Sequence, residues 1–539
     1  MEIKDISFPS ANPLLEGYKR GEDEVMSFFH YNIHDKKMYQ QRADDLAQFS
    51  YPREELAAYL AAYNEKYDAD ERTMSNISKL KNHRSVVVVG GQQAGILTGP
   101  MYTVNKVLSI LKFAKQQEEK LNVPVIPIFW IAGEDHDFAE INHVFVEKEG
   151  TLVKQAVPQK VLEKKMASDI VIDKQTCQKW IQDVFQTFGE TDHSKEVLDF
   201  TLEGLESSHT YADFFAKLTM KLFAGTGLVL MDSASPELRK IEGSFFMQLI
   251  EENEQLSQAV LEQQRIVEQL HPRAIQVDEQ TAHLFYYDNS ERILLERRAG
   301  RFEGKTNEVV LTKEELLHIA RTSPELLSNN VVTRPLMQEF LLPTLAFIAG
   351  PGEVAYWAEL KQAFELFRFK MPPIVPRLSY AIVERDVQRN IKDLELTVEH
   401  VLRKGVKEEK EKWLQEHVKY PYDDYFEKAK QELETIHRTL RNNVLSEDET
   451  FKEVLEKNRN ILQNQLNIVR KIVESKQVTK HKVTIKKFDD IEQALLPIGS
   501  PQERIWNIFY FLNKYGADFV SRLSNLDVEF NHNIKVVYP

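Results

Sequence analysis

The chain has 539 residues, more than a single hydrophobic core accommodates, so roughly two to four domains or large insertions are expected. Its 69 basic and 83 acidic side chains leave a formal charge of −14, which argues against a broad nucleic-acid-binding face. One cysteine, Cys177, excludes internal disulfides and multi-cysteine zinc sites; with no secretory leader legible in MEIKDISFPS and no bilayer-length apolar run, a soluble cytoplasmic protein is expected.

Residues 1–80 read as mostly helical, with Leu56, Tyr59, Leu60 and Tyr63 at helical spacing for packing. The organising stretch follows, SVVVVGGQQAGILTGPMYTVNK. Four consecutive valines, 86–89, form an apolar β-branched run typical of a strand buried on both faces. Gly90, Gly91 and Gly95 make a turn, Thr98 is a candidate helix cap with Gly99 and Pro100 at the entry, and a helix runs through Val104, Val107, Leu108 and Leu111. A strand, a glycine turn and a helix N-terminus together suit a small anionic ligand. The P-loop pattern is not met, because Ile96 and Leu97 stand where Lys and Ser/Thr are required, and GxGxxG is absent. The turn can therefore be a mere connection; against that stand Gln92, Gln93, Thr98, Tyr102, Asn105 and Lys106, more polar capacity than a connection needs.

A second strand is predicted over 123–132 (VPVIPIFWIA), with Pro124 and Pro127 suggesting a bulge or distortion and Trp130 near its end. Glu134, Asp135, His136 and Asp137 follow at once, then Glu140, Asn142 and His143. Ionisable side chains beyond the carboxyl end of a buried strand can hold an amine, bind a metal or move a proton, or else form a solvated acidic loop. Residues 147–226 read as irregular and charged, and Cys177 has no motif around it to mark a nucleophile. A third strand is expected at 227–232 (GLVLMD), one long helix over 237–270, a strand-rich module over 274–298, and polar helical text to 327.

The main sheet is expected to resume near Arg334 and to continue through 341–348. Gly350, Pro351, Gly352 and Glu353 then open a helix carrying Tyr356, Trp357, Leu360 and Phe364, whose N-terminus is another potential anion site or only a tight turn. A last strand over 372–379 brings Arg377 and Ser379, the arginine suited either to a phosphate or carboxylate or to a surface salt bridge. From 380 to about 475 apolar residues recur by threes and fours, as in Val383, Val387, Ile391, Leu394, Val398 and Val401, then Phe426, Ala429, Leu433, Ile436 and Leu440, then Leu455, Leu462, Leu466, Val469 and Ile472. Such seams predict a helical hairpin or coiled coil that mates with another subunit. Gly499, Ser500, Gln502, Arg504, Trp506 and Asn507 near the end can cap a helix or form a second ligand site.

Taken in order, GGQQAGILTGPMYTVNK, FWIAGEDHDFAEIN, FIAGPGEVAYW and LPIGSPQER resemble the BshC family, cysteine-adding enzymes of bacillithiol synthesis, over nearly the whole chain. The resemblance implies an α/β fold with a Rossmann-like parallel sheet similar to class I aminoacyl-tRNA synthetases, inserted connective domains and a coiled-coil dimerisation hairpin. The corresponding division is N-terminal helices and the first half of the core (1–146), a helical insertion (147–226), a core strand (227–236), a second insertion (237–330), the second half of the core (331–380), coiled-coil helices (381–480) and a segment returning to the core (481–539). It implies a homodimeric ligase that joins cysteine to the amine of glucosaminyl-malate, with ATP activating the carboxylate and with no nucleic acid, membrane or metal involved. Asp135 and His136 would then bind or deprotonate the amine, with Glu134 and Asp137 beside them. Gln92, Gln93, Asn105 and Arg377 would hold carboxylates or phosphates, and Gly91, Thr98, Gly99, Tyr102, Lys106, Trp130, Arg334, Gly350, Glu353, Tyr356, Trp357 and Ser379 would complete the cleft. The chain has neither HxGH nor KMSKS; Pro376, Arg377 and Ser379 stand after the last strand instead. A metal-dependent hydrolase built on Asp135, His136 and Asp137, and a non-catalytic coiled-coil scaffold, are the rival classes.

Overall fold

The valine run lies at the centre of a five-stranded sheet in a computed structural model, which describes residues 1–10, 12–288, 291–306, 308–417 and 422–539. Strand β1 (Val86–Gln92) pairs in parallel with β2 (Val125–Ile131) on one side and with β4 (Thr344–Ala349) on the other. Beyond β2 lies β3 (Val229–Asp232), and beyond β4 lies β5 (Ile374–Pro376), giving the order β5-β4-β1-β2-β3. Both faces are covered, as an all-parallel sheet requires. Val86, Val88, Phe129 and Ile131 enter one core with helix α1 (Tyr102–Leu121), whereas Val87, Val89, Ile128 and Trp130 enter the other. The chain builds outward from β1 to β3, then returns to add β4 and β5 on the opposite side. The direction reverses between β1 and β4, the position where doubly wound sheets open a ligand crevice.

The prolines of β2 leave it undistorted: its register with β1 is unbroken from Val125 to Ile131. Pairing with β3 begins only at Ile128, so Pro127, which lacks an N–H, has a neighbour on one side alone. The irregularity falls instead between Thr344 and Ala346 of β4. Residues 334–339 are helical and not part of the sheet; they belong to α3 (Thr333–Leu341), which places Arg334 on a helix above the strand ends. The single helix expected over 237–270 is two, α2 (Pro236–Glu251) and Asn253–Val267. At the break, the buried Asn253 amide donates to Ala282 O at 2.7 Å, fastening the second helix to the strand-rich module.

That module is a five-stranded antiparallel sheet with strands Val310–Thr312, Arg301–Gly304, Glu291–Arg298, Thr281–Asp288 and Leu327–Asn329 in spatial order, so it runs past 298. The stretch from 143 to 226 holds a hairpin (His143–Lys148 with Thr151–Ala156) and then three helices, of which Lys174–Thr187 carries Cys177. That thiol is fully buried and burial pushes it up to about 12, so it is a core residue and not a nucleophile. Helix α4 (Pro351–Ala358) follows β4. A three-stranded sheet of Glu2–Ile6, Ile534–Tyr538 and Ser379–Ile382 ties both termini to the end of the core.

Two compact units result, one of 1–382 with 502–539 and one of 383–501. In the second, the seam expected from 383 to 401 is broken into helices Arg385–Asp393 and Val398–Lys404, with Glu395 left-handed and Thr397 capping the next helix. The hairpin proper consists of α5 (Asp423–Glu447) and α6 (Lys452–Thr479). Arg470 with Asp423, Arg459 with Glu434 and His437 with Asn458 fix its antiparallel register. Ile436, Leu440, Val454, Ile461, Ile468 and Ile472 remain exposed along it. Among the described residues no helix is long and apolar enough to cross a membrane.

Candidate active site

A cleft of about 150 Å³ opens at the β1/β4 reversal, lined by Gly91, Gln92, Gln93, Trp130, Ala132, Arg334, Phe347 and Glu353. Its floor is made by strand ends. Gly91 must lack a side chain there, because a Cβ would stand 2.6 Å from Trp130 O. Behind it Lys106, buried on α1, donates to Gly91 O at 2.7 Å, Gln92 Oε1 at 3.2 Å and Glu353 Oε2 at 2.6 Å. Burial lowers this ammonium and Glu353 opposes the shift, so the pair clamps α4 onto the end of β1.

Arg334 differs from the other cations here. It donates to Gln338 Oε1 at 3.2 Å and Tyr356 Oη at 3.0 Å, and its guanidinium lies over the rings of Phe347 and Trp357. Every one of those partners is neutral. Trp130, 1% exposed, leaves its indole N–H without an acceptor among the described residues, and Trp357 is wholly buried beneath the arginine. Arg334 is thus a half-buried guanidinium without a carboxylate partner among the described residues, unlike Arg42, Lys106 and Arg377.

Gln93, the neighbour of Gln92, joins this pocket to the loop after β2. Its amide nitrogen donates to Asp135 Oδ2 at 2.7 Å and to Glu140 Oε2 at 2.6 Å. Asp135 also accepts from the Asp137 N–H at 3.2 Å and stays half-buried, while Asp137 is exposed. His136 stands edge-on to Phe285, and Arg292 Nη1 lies 3.3 Å from its Nδ1. Burial and that arginine hold the imidazole below its ordinary range. Glu134 points the other way. It is 5% exposed, paired with Arg239 of α2 and accepts from Asn329 N–H, so it anchors the loop. Gly133 closes the turn where a Cβ would stand 2.1 Å from both Asp232 Oδ1 and Ser168 Oγ. His143 lies in the hairpin beside Phe145, and Asn142 accepts the Val157 N–H through its backbone.

Several of the remaining sequence-predicted residues form a second network that converges on Glu503. Arg377 makes two bonds to Glu503, at 2.7 and 2.6 Å, and Asn105 donates to the same carboxylate at 2.6 Å. Ser379 donates to Glu503 Oε1 at 3.3 Å, and Tyr102 packs its ring under the guanidinium. Arg377 is therefore neither open to a phosphate nor a surface salt bridge. Thr98 is left-handed and buried, and it does not cap α1, whose N-cap is Met101. The helix start is plugged from within: Gly99 N–H donates to Ile96 O, Met101 N–H to Trp506 O and Thr103 N–H to Pro100 O, while Asn507 holds Leu97 O and Gly99 O. Of the N–H groups around this N-terminus, those of Gly99, Met101 and Thr103 are thus bonded within the chain. Gln502 likewise bonds Ile382 N–H and O, and Arg504 is exposed; Gly499 and Ser500 belong to the helical unit. Gly350 opens α4 with its N–H bonded to Glu353.

Sequence reasoning missed Arg239, Glu242, Asp232, Ser168, Arg292 and Glu503. Arg239 and Glu242 are spaced by three on α2 within an otherwise amphipathic pattern, the one signal available. Among the described residues no three His, Cys, Asp or Glu side chains gather as a metal set.

Comparisons with known proteins agree along the full length. A family model described as "Bacillithiol biosynthesis BshC, N-terminal Rossmann-like domain" matches residues 1–378, and "Bacillithiol biosynthesis BshC, C-terminal coiled-coil domain" matches 380–539. Proteins named "Putative cysteine ligase BshC" from Geobacillus sp. (strain WCH70), Anoxybacillus flavithermus and Bacillus cytotoxicus are 45%, 43% and 43% identical, each match covering all of both chains.

Proposed function

The chain belongs to the BshC family of bacillithiol biosynthesis, and from that premise we propose that it is the ligase joining the carboxyl group of L-cysteine to the amine of glucosaminyl-malate. The observation that carries this is the layout of the cleft: Arg334, a cation without an anionic partner, on one side of Gln92–Gln93 and Asp135, a half-buried carboxylate, on the other. An acceptor bearing carboxylates at one end and an ammonium at the other matches that polarity. Arg334 takes a malate carboxylate, with Gln92 and the Trp130 N–H beside it. Asp135 receives the proton that the ammonium must lose before its lone pair can attack. Gln93 holds Asp135 in place. The new N–C bond forms at the cysteine carboxyl carbon, and the group that activated this carbon leaves with its electron pair.

A free carboxylate and an amine do not condense unaided in water, so activation by ATP is part of the proposal. We further propose that two copies associate through α5 and α6, whose exposed stripe of Val454, Ile461 and Ile468 repeats every seven residues and meets an identical stripe under two-fold symmetry. The reaction takes place in the cytoplasm, where a thiol product stays reduced.

The test is a cell extract lacking this protein, assayed for accumulated glucosaminyl-malate and missing bacillithiol, then reconstituted with the purified chain, ATP and cysteine. Restored thiol with ATP consumed in proportion supports the proposal. No thiol, or thiol formed without ATP, overturns the ligation or the activation respectively.

A further inference from the structure

The strand-rich module meets the loop after β2 at His136, through Phe285 and through Arg292 of strand Glu291–Arg298. It is 7% exposed, and its guanidinium stacks 3.7 Å above the ring of Phe285. Nε donates to Ser328 Oγ at 2.9 Å, Nη2 to Asn329 O, and Nη1 meets His136 Nδ1 at 3.3 Å. An arginine has five N–H donors and no acceptor. The contact therefore has one possible sense: Arg292 donates, and His136 Nδ1 offers its lone pair. A neutral imidazole carries one proton, so that proton resides on Nε2. Nε2 has no partner among the described residues, and the ring is half-buried.

We propose that Arg292 is a positioning residue that locks His136 as a neutral Nε2–H donor, so that His136 donates a hydrogen bond to the reacting acyl oxygen and does not act as the base. The inference rests on the ligase reading of the same cleft and sharpens it. The basic nitrogen of His136 is occupied by a guanidinium that stays charged, so the amine proton goes to the carboxylate of Asp135 and not to the imidazole. As negative charge develops on the acyl oxygen, the Nε2–H strengthens its bond to it. No proton joins or leaves the ring. The charged groups facing His136 are Arg292 and Lys164, which oppose its protonation, and Asp135 and Asp137, which favour it; burial adds to the first pair.

Nitrogen-15 NMR of the full-length chain labelled at histidine, with His136 assigned by loss of its signals in His136→Gln, reads the tautomer without any substrate. The expected result is a proton on Nε2 and a ring that titrates below the ordinary histidine range, with Arg292→Met moving it back up toward that range. In the ligation assay His136→Gln, which keeps a donor but cannot take a proton, should stay within about tenfold of wild type, whereas His136→Ala loses about 100-fold or more. A proton on Nδ1, a wild-type ring that titrates no lower than in Arg292→Met, or Gln as inactive as Ala overturns the proposal. Should Arg292→Met not fold, the wild-type tautomer and the Gln/Ala contrast still decide it. Absence of ligation by the wild-type chain would count against the ligase reading and leave the NMR result to stand or fall alone.

Discussion

Two arginines flank β4, and they differ in who answers them. Arg377, just after β5, is gripped by both oxygens of Glu503, with Asn105 and Ser379 on the same carboxylate. Arg334, on α3, has a phenol, an amide oxygen and two aromatic faces. Arg377 directly follows a core strand, whereas Arg334 lies on the helix that precedes one. The difference comes from residues 502–507, which return from the far end of the chain to satisfy one arginine and leave the other for a ligand. A polar residue is available for chemistry only when no later part of the chain has claimed it.

That contrast makes measurable claims, and the largest effect is on the satisfied side. Glu503→Ala should cost about 3–5 kcal/mol in urea unfolding, because it strands a buried guanidinium, whereas Arg377→Met with Glu503→Leu should recover most of it. A loss below about 1 kcal/mol would break the contrast. On the open side, Asp135→Ala should remove about 100-fold or more of the ligation rate while leaving unfolding within about 1 kcal/mol of wild type. Full activity, or a collapse of stability, would place Asp135 with the structural group.

A smaller effect lies in the wall behind the loop. Burial pushes the Asp232 carboxyl up to about 6. Its folded value then exceeds the unfolded one of about 3.9, so between these values the folded chain holds a proton that the unfolded chain has released. Stability contributed by this group is present at low pH and lost as pH rises through about 6. Asp232→Asn should flatten that part of the pH–stability curve by about 2 kcal/mol; an unchanged slope would show that Asp232 is ionised and relieved by other groups.

The sheet was legible because its strands are continuous apolar runs, and β1, β2, β3 and β5 lie where 86–89, 123–132, 227–232 and 372–379 point. Helix α3 was misread because Leu336, Met337 and Leu341 are buried on an apolar helix face that over six residues looks like a strand. The cleft is lined by Gln92, Gln93, Arg334 and Glu353, with Lys106 bonded behind it and Asp135 bonded to Gln93. Arg377, Asn105 and Asn507 do not join them, for a reason no local pattern contains: their partners lie 126, 398 and 410 residues away. Arg292 was invisible for the same cause, its partner His136 being 156 residues distant.

The central claim is that the cleft at the β1/β4 reversal holds the acceptor through Arg334. Calorimetric titration of glucosaminyl-malate into the wild-type chain, Arg334→Met and the Arg377→Met/Glu503→Leu double variant tests it directly. The account predicts binding weakened about tenfold or more by Arg334→Met, from loss of a charge-assisted bond, and unchanged in the double variant. Equal affinity in Arg334→Met and wild type, or loss of binding in the double variant alone, would contradict it.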